Sequence, residues 1–145
     1  MGDVIHISEA ASIAFHSMTL IAAQEEKVPL SIREIAETLK ISENHLSKVV
    51  QRLTKAGLIQ PHRGPKGGVT LAKKPEKISL LDIYEEMEGE LSTNRCLLKT
   101  RLCQPGNCIF GDLLGSVNQQ VREYFKNTKL SDLSHVFKDF QLRAS

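Results

Sequence analysis

Apolar residues recur at helical spacing in a series of separated runs, and the period changes only between residues 58 and 72. Ala11, Ile13, Ala14, Phe15, Met18, Leu20 and Ile21 predict a first helix from Ser8 to about Gln24. Its apolar residues fall on most sides, so it should be surrounded by partners. A loop through Lys27, Val28 and Pro29 ends it. Ser31 opens a second helix with Ile32, Ile35, Ala36 and Leu39 as its apolar stripe. Ser31 and Glu34 have capping-box spacing, in which each side chain satisfies the other residue's backbone amide. Lys40 and Ile41 make a tight connection. Ser42 is then the N-cap of a third helix whose inner face is Leu46, Val49, Val50 and Leu53. Gly57 supplies a left-handed stop.

Leu58 to His62 and Gly68 to Ala72 read as two short strands. The residues between them, Arg63-Gly64-Pro65-Lys66-Gly67-Gly68, are turn formers, and the glycines permit positive φ. A basic hairpin directly after a helix-turn-helix is a winged-helix pattern. Ser79, with Asp82 three residues on, caps a fourth helix along Leu80, Ile83, Tyr84 and Met87, ending near Gly89. A long last helix is expected from about Cys108 to Lys126. Its apolar positions, Ile109, Phe110, Leu113, Leu114, Val117, Val121, Tyr124 and Phe125, have the spacing of a helix–helix seam. A C-terminal segment with Leu130, Leu133, Val136, Phe137 and Phe140 is expected to pack back on it.

Charge sharpens this picture. The net charge is only +2, but Ser31 to Leu80 holds ten Lys/Arg against four Glu, a local +6 that leaves −4 elsewhere. Such a field suits a polyanion. The third helix displays Glu43, Asn44, His45, Ser47, Lys48, Gln51 and Arg52 outward. Base edges in the major groove are read by donor and acceptor patterns, mostly from the first half of a recognition helix. Asn44, Ser47 and Lys48 are the expected base readers, with Arg52 and Lys55 on phosphate. Arg63 and Lys66 at the hairpin tip are expected in the minor groove or on the backbone. A bland alternative, a solvated basic face on an ordinary helical corner, lacks a use for the glycine-rich basic tip.

The only cysteines are Cys96, Cys103 and Cys108, thirteen residues from first to last. There are no paired C-x-x-C knuckles, so a zinc ribbon does not fit. Thiols clustered in this way, in a chain with no signal-peptide pattern and no run of about 18 apolar residues, point to ligands or redox sensors in a cytoplasmic protein rather than structural disulfides. Soft sulfur donors select iron–sulfur clusters, zinc or copper(I). Gln104-Pro105-Gly106-Asn107 allows a tight turn between the last two thiols, and Arg95, Lys99 and Arg101 give a positive charge suited to an anionic cluster. Cluster, zinc, a bare thiol–disulfide switch and inert thiols all stay open on these residues. Three cysteines are one short of four ligands; a Glu or His from elsewhere, a second chain or an open position would complete the set.

Taken together, Ile7-Ser8-Glu9, Ile41-Ser42-Glu43-Asn44-His45-Leu46, the wing Arg63 to Gly68, the three cysteines and the long helix ending in Thr128-Lys129-Leu130-Ser131-Asp132-Leu133 resemble the IscR/NsrR family of bacterial iron–sulfur winged-helix regulators. The likeness runs over nearly the whole chain. It implies a mostly α fold with a small β-hairpin, a winged helix-turn-helix plus a long dimerisation helix. The corresponding division is 1–78 for DNA binding, 79–107 for the connecting helix and cysteine loop, and 108–145 for dimerisation and the C-terminal segment. It implies a homodimer on a palindromic double-stranded DNA operator, with no membrane partner, acting as a transcriptional repressor. One iron–sulfur cluster per subunit, 2Fe–2S or 4Fe–4S, would be held by Cys96, Cys103 and Cys108. Glu9 of the other subunit falls where nitric-oxide-sensing members place an aspartate ligand, and His16 is an outside candidate for the same role; Glu9 reads equally as a carboxylate at a helix N-terminus, favoured there by the helix dipole. Nitric oxide, oxygen or iron starvation would damage the cluster and lower DNA affinity. The six-then-four cysteine spacing departs from the commonest members and leaves the cluster type open.

Two alternatives accompany that reading. One is a cluster-free repressor of the same fold, answering to thiol oxidation or a partner protein. The other is a small redox or electron-transfer protein, which has no use for Arg63, Lys66 or the glycine-rich tip. No Ser–His–Asp pattern, phosphate-cradling glycine loop or H-E-x-x-H is present, so an enzyme is not expected; His62 and His135 read as surface or packing residues.

Overall fold

The computed structural model of the chain describes residues 6–24, 28–91, 96–104 and 106–140. Lys27, Arg95 and Pro105, used in the sequence reading, lie outside them. The elements run α1 (Glu9–Ala22), α2 (Ile32–Leu39), α3 (Glu43–Lys55), β1 (Ile59–His62), β2 (Gly68–Leu71), α4 (Leu80–Glu88), α5 (Leu113–Asn127) and α6 (Leu130–Leu133). Short 3-10 turns at Pro75–Lys77 and Ser134–Phe137 complete the set. The expected class holds: mostly α, one antiparallel hairpin, one long helix.

Local chemistry starts the helices where the sequence placed them. Ser8 Oγ accepts from the Ala11 amide at 3.1 Å. Ser31 and Glu34 form the full capping box, at 2.8 and 3.1 Å. Ser79 and Asp82 repeat it at 2.9 and 3.1 Å. Each such cap is worth about 1 kcal/mol.

Helix α1 is the hub. It packs on α2, α3, α4, α6 and β2, and Ala11, Ala14, Met18 and Leu20 on different sides of it are fully buried. Each large side chain buried this way contributes about 1.5–3 kcal/mol. Leu46 and Leu53 of α3 and Ile83 of α4 close the same core.

The hairpin has an anchor that the periodicity did not show. Leu30, between α1 and α2, pairs with Val69 through N–H···O bonds of 3.0 and 2.8 Å. One residue of pairing leaves no repeat to detect. Glycine also has a role beyond the turn. Gly64 and Gly68 have φ of 107° and 152°. A Cβ on Gly68 would lie 2.2 Å from the Leu30 carbonyl oxygen, and one on Gly67 2.3 Å from that of His62. Gly67 is there for space rather than for positive φ.

Two expectations are corrected. The long helix begins at Leu113, not Cys108. Gly111, at φ 57°, turns the chain out of the right-handed helix, and residues 108–112 form single turns closed by Gly111 N to Cys108 O and Leu113 N to Phe110 O, both 3.0 Å. The C-terminal segment does not fold back on α5. It packs on α1, with Leu130 fully buried in the main core. Two backbone bonds dictate this: Leu80 N to Thr128 O and Leu130 N to Ile78 O, each 3.0 Å, clip the end of α5 to the start of α4. Helix α5 itself lies on α4, where Phe125 stacks between Phe15 and Tyr84 at 5.5 Å from each. Burial, then the charge of Glu88, raises the Tyr84 phenol pKa above its ordinary value.

Candidate nucleic-acid interface and cysteine cavity

The connection between α2 and α3 is fixed by its backbone. Lys40 takes a left-handed conformation (φ 56°, ψ 48°), and Ile41 N donates to Ala36 O at 3.0 Å. That sets α3 across α2. Asn44, Ser47, Lys48 and Gln51 follow at helical spacing along one outward face; Asn44, Lys48 and Gln51 are exposed and Ser47 is half-buried. The opposite face, Leu46, Val49, Val50 and Leu53, is buried. Arg63 and Lys66 stand exposed at the hairpin tip. His62 is exposed and hydrogen-bonded to Thr70 across the strands at 2.8 Å. The structure therefore places the DNA-reading candidates on one helix face and one hairpin tip.

Three side chains near α3 do something the sequence did not announce. Arg52, expected on phosphate, donates through Nη2 to Glu86 O at 2.7 Å and Met87 O at 3.1 Å, at the end of α4. Glu9, expected as a cluster ligand, has Oε1 3.4 Å from Nδ1 of His45 on α3. Ser8 donates to the Glu88 carboxylate. No local pattern could have shown these contacts, since each joins elements far apart in the chain.

Cys96, Cys103 and Cys108 all line one open cavity of about 730 Å³ at the foot of α5. Lys99, Arg101 and Asp112 share it, and Gly106, Gly111 and Gly115 keep one side low. None of the three cysteines is in a disulfide; Cys103 is exposed, the others half-buried. The Phe110 amide points at Cys108 Sγ, 3.4 Å away. Among the described residues, no three Cys, His, Asp or Glu side chains converge closely enough to hold one metal ion. Glu9 and His16 are not among the cavity's residues. Around the cavity Leu97, Leu102 and Ile109 also stand open to solvent, Ile109 to 90%.

A helix behind a tight turn with an outward polar face, a basic hairpin and an appended thiol-bearing segment have the form of a winged-helix DNA-binding transcriptional regulator. The chain belongs to the Rrf2 family ("Iron-dependent Transcriptional regulator"), matched over residues 7–136. This bears out the resemblance to IscR and NsrR. An NsrR regulator of Shouchella clausii is 36% identical over 112 residues, spanning 72% of this chain and 74% of its own. Among solved structures, CymR, the global cysteine regulator of Bacillus subtilis, superposes with a TM-score of 0.80 at 28% identity, over 92% of this chain and 98% of its own. An IscR of T. potens gives 0.74 at 25% identity, over 98% and 95%. No helix among the described residues is long and apolar enough to cross a membrane.

Proposed function

We propose that this regulator binds operator DNA as a homodimer and that the chemical state of its three loop thiols sets its affinity without requiring a bound cluster. One observation carries this: three thiols of unequal exposure, none in a disulfide, line a single open cavity. The likeness to CymR supports it, since the CymR of Staphylococcus aureus has been solved in an oxidized form. The resemblance to IscR and NsrR put the cluster first; this reading puts the bare thiols first.

Each subunit presents Asn44, Ser47 and Lys48 to base edges and Arg63 and Lys66 to the flanking backbone or minor groove. Two recognition helices must sit about 34 Å apart to meet successive half-sites, so small changes in helix placement cost affinity. Bound at a promoter, such a dimer represses. Exposed Cys103 is the accessible nucleophile. Oxidation by a peroxide joins it to a neighbouring thiol; the two sulfurs give up two electrons and two protons, and the peroxide is reduced to water.

A second reading, an iron–sulfur cluster, is favoured by the cavity's cationic rim of Lys99 and Arg101 around three soft donors. The donor chemistry fits a multi-atom group spanning the thiols rather than a single ion. Cys96, Cys103 and Cys108 would hold it, with Glu9 of the partner subunit as fourth ligand. When bound it would supply sensitivity to nitric oxide, oxygen and iron supply. Loading would require the loop to draw the three sulfurs together.

The test uses full-length protein, purified both with and without air, and the duplex it selects from a random-sequence pool. The expected result is a colourless anaerobic protein that binds tightly when reduced. Peroxide should weaken binding by tenfold or more while intact mass falls by about 2 Da per disulfide. Cys103→Ser should abolish the response. A brown protein absorbing near 400 nm, with stoichiometric iron and sulfide, would instead establish the cluster. Affinity indifferent to both oxidant and iron would sink both readings.

A further inference from the structure

Arg52 is on the recognition helix, one turn after Lys48, yet its guanidinium caps a different helix. The last carbonyls of any α-helix lack intrahelical partners and mark the negative end of its dipole. In α4 the Glu86 and Met87 oxygens receive Arg52 Nη2 at 2.7 and 3.1 Å. Bonds of this charge-assisted kind are stronger and more directional than neutral ones. Gly89, at φ 84°, then ends α4, and Cys96 follows only seven residues later. In sequence, the turn that Arg52 grips is thus where the cysteine-bearing stretch begins; residues 92–95 lie outside the described residues. Helix α1 braces the same junction, with Ser8 on Glu88 of α4 and Glu9 on His45 of α3.

We propose that Arg52 is a positioning residue that couples the cysteine loop to the DNA-reading helix by fixing the end of α3 against the last turn of α4. This rests on the thiol-state reading given above. When chemistry in the loop shifts the root of that loop, the shift passes to α3 through this guanidinium. Loss of the clasp leaves α3 seated by its buried face but deaf to the loop. Coupling between two sites is reciprocal in binding free energy, so bound DNA should also shift the conformational equilibrium of the loop, and with it the accessibility of its thiols.

The experiment compares wild type, Arg52→Gln and Arg52→Lys, all full-length and reduced. Iodoacetamide labelling rates of Cys96, Cys103 and Cys108 are measured by mass spectrometry with and without the selected duplex. Affinity is measured across a salt series and before and after peroxide. In wild type the duplex should change labelling by about fivefold or more, the lower range of measured couplings. In Arg52→Gln that ratio should fall to near one and the peroxide effect on affinity should disappear. The salt dependence should keep its wild-type slope, and Arg52→Lys, which retains a charged donor, should recover part of the coupling. If Arg52→Gln keeps the wild-type labelling ratio, the proposal is overturned. A slope reduced by about one with coupling intact would make Arg52 a phosphate contact instead. If wild type itself shows neither duplex-dependent labelling nor a peroxide effect, the thiol-state reading fails, and Arg52 has nothing to couple.

Discussion

Gly68 shows how a single residue serves the fold in a way its neighbourhood in the sequence only half reveals. Its place in a glycine-rich turn predicts positive φ, and 152° is observed. The close approach of Leu30 behind it comes from a strand pairing more than thirty residues away, which no local pattern encodes. A methyl group at Gly68 would overlap the Leu30 carbonyl at 2.2 Å, so the Leu30–Val69 pair must part. Gly68→Ala should cost on the order of 3 kcal/mol from strain and overlap together, lowering the melting temperature by roughly 8 °C. Calorimetry of the variant checks this, and an unchanged melting temperature would mean the wing does not depend on that crossing. The same contrast holds at Glu9 and Arg52. Their charge and exposure were legible; their partners, His45 and the α4 carbonyls, were not, because tertiary contact chose them.

At the scale of elements, most starts and stops were legible because they are chemically local. Ser31, Ser42 and Ser79 cap helices by bonds to amides three residues on, and Gly57 and Gly89 end them. The start of α5 was misplaced because Ile109 and Phe110 continue the apolar spacing while Gly111 breaks the backbone. An apolar period records which residues favour burial, and at Ile109 the backbone leaves the side chain in solvent instead. The wing is the element whose function is most directly testable. Arg63 is exposed at its tip and Val69 is buried at its base, so truncating the former should leave the fold alone. Arg63→Ala should weaken binding to all duplexes by a similar factor and reduce the slope of log affinity against log salt by about one, the signature of one lost phosphate contact. Fluorescence anisotropy at several salt concentrations reads both. A selective loss on one sequence would place Arg63 on a base edge rather than the backbone.

The whole molecule divides its helices between two tasks. Helix α1 spends most of its circumference on the core, leaving Glu9 and His16 exposed, whereas α5 has no fully buried residue. On α5, Phe125 faces inward to Phe15 and Tyr84. Leu113 and Tyr124, three turns apart on another face, are 55% and 59% exposed. Eleven residues at about 100° each return to nearly the same azimuth, so these two exposed apolar side chains lie on one side of the helix, with Gln120 between them. A helix half-packed on its own subunit and half bare is the form expected of a seam between two copies. Two copies are also what the DNA-reading proposal needs, since one recognition helix meets one half-site. Replacing Leu113 and Tyr124 together by Glu places carboxylates along that face without touching the buried side. The double variant should remain folded by circular dichroism, sediment as a monomer where the wild type sediments as a dimer, and lose on the order of a hundredfold in duplex affinity because each half-site is then bound alone. If the variant stays dimeric with affinity intact, the subunits meet through another surface, and the spacing of the two α3 helices must be set elsewhere than along α5.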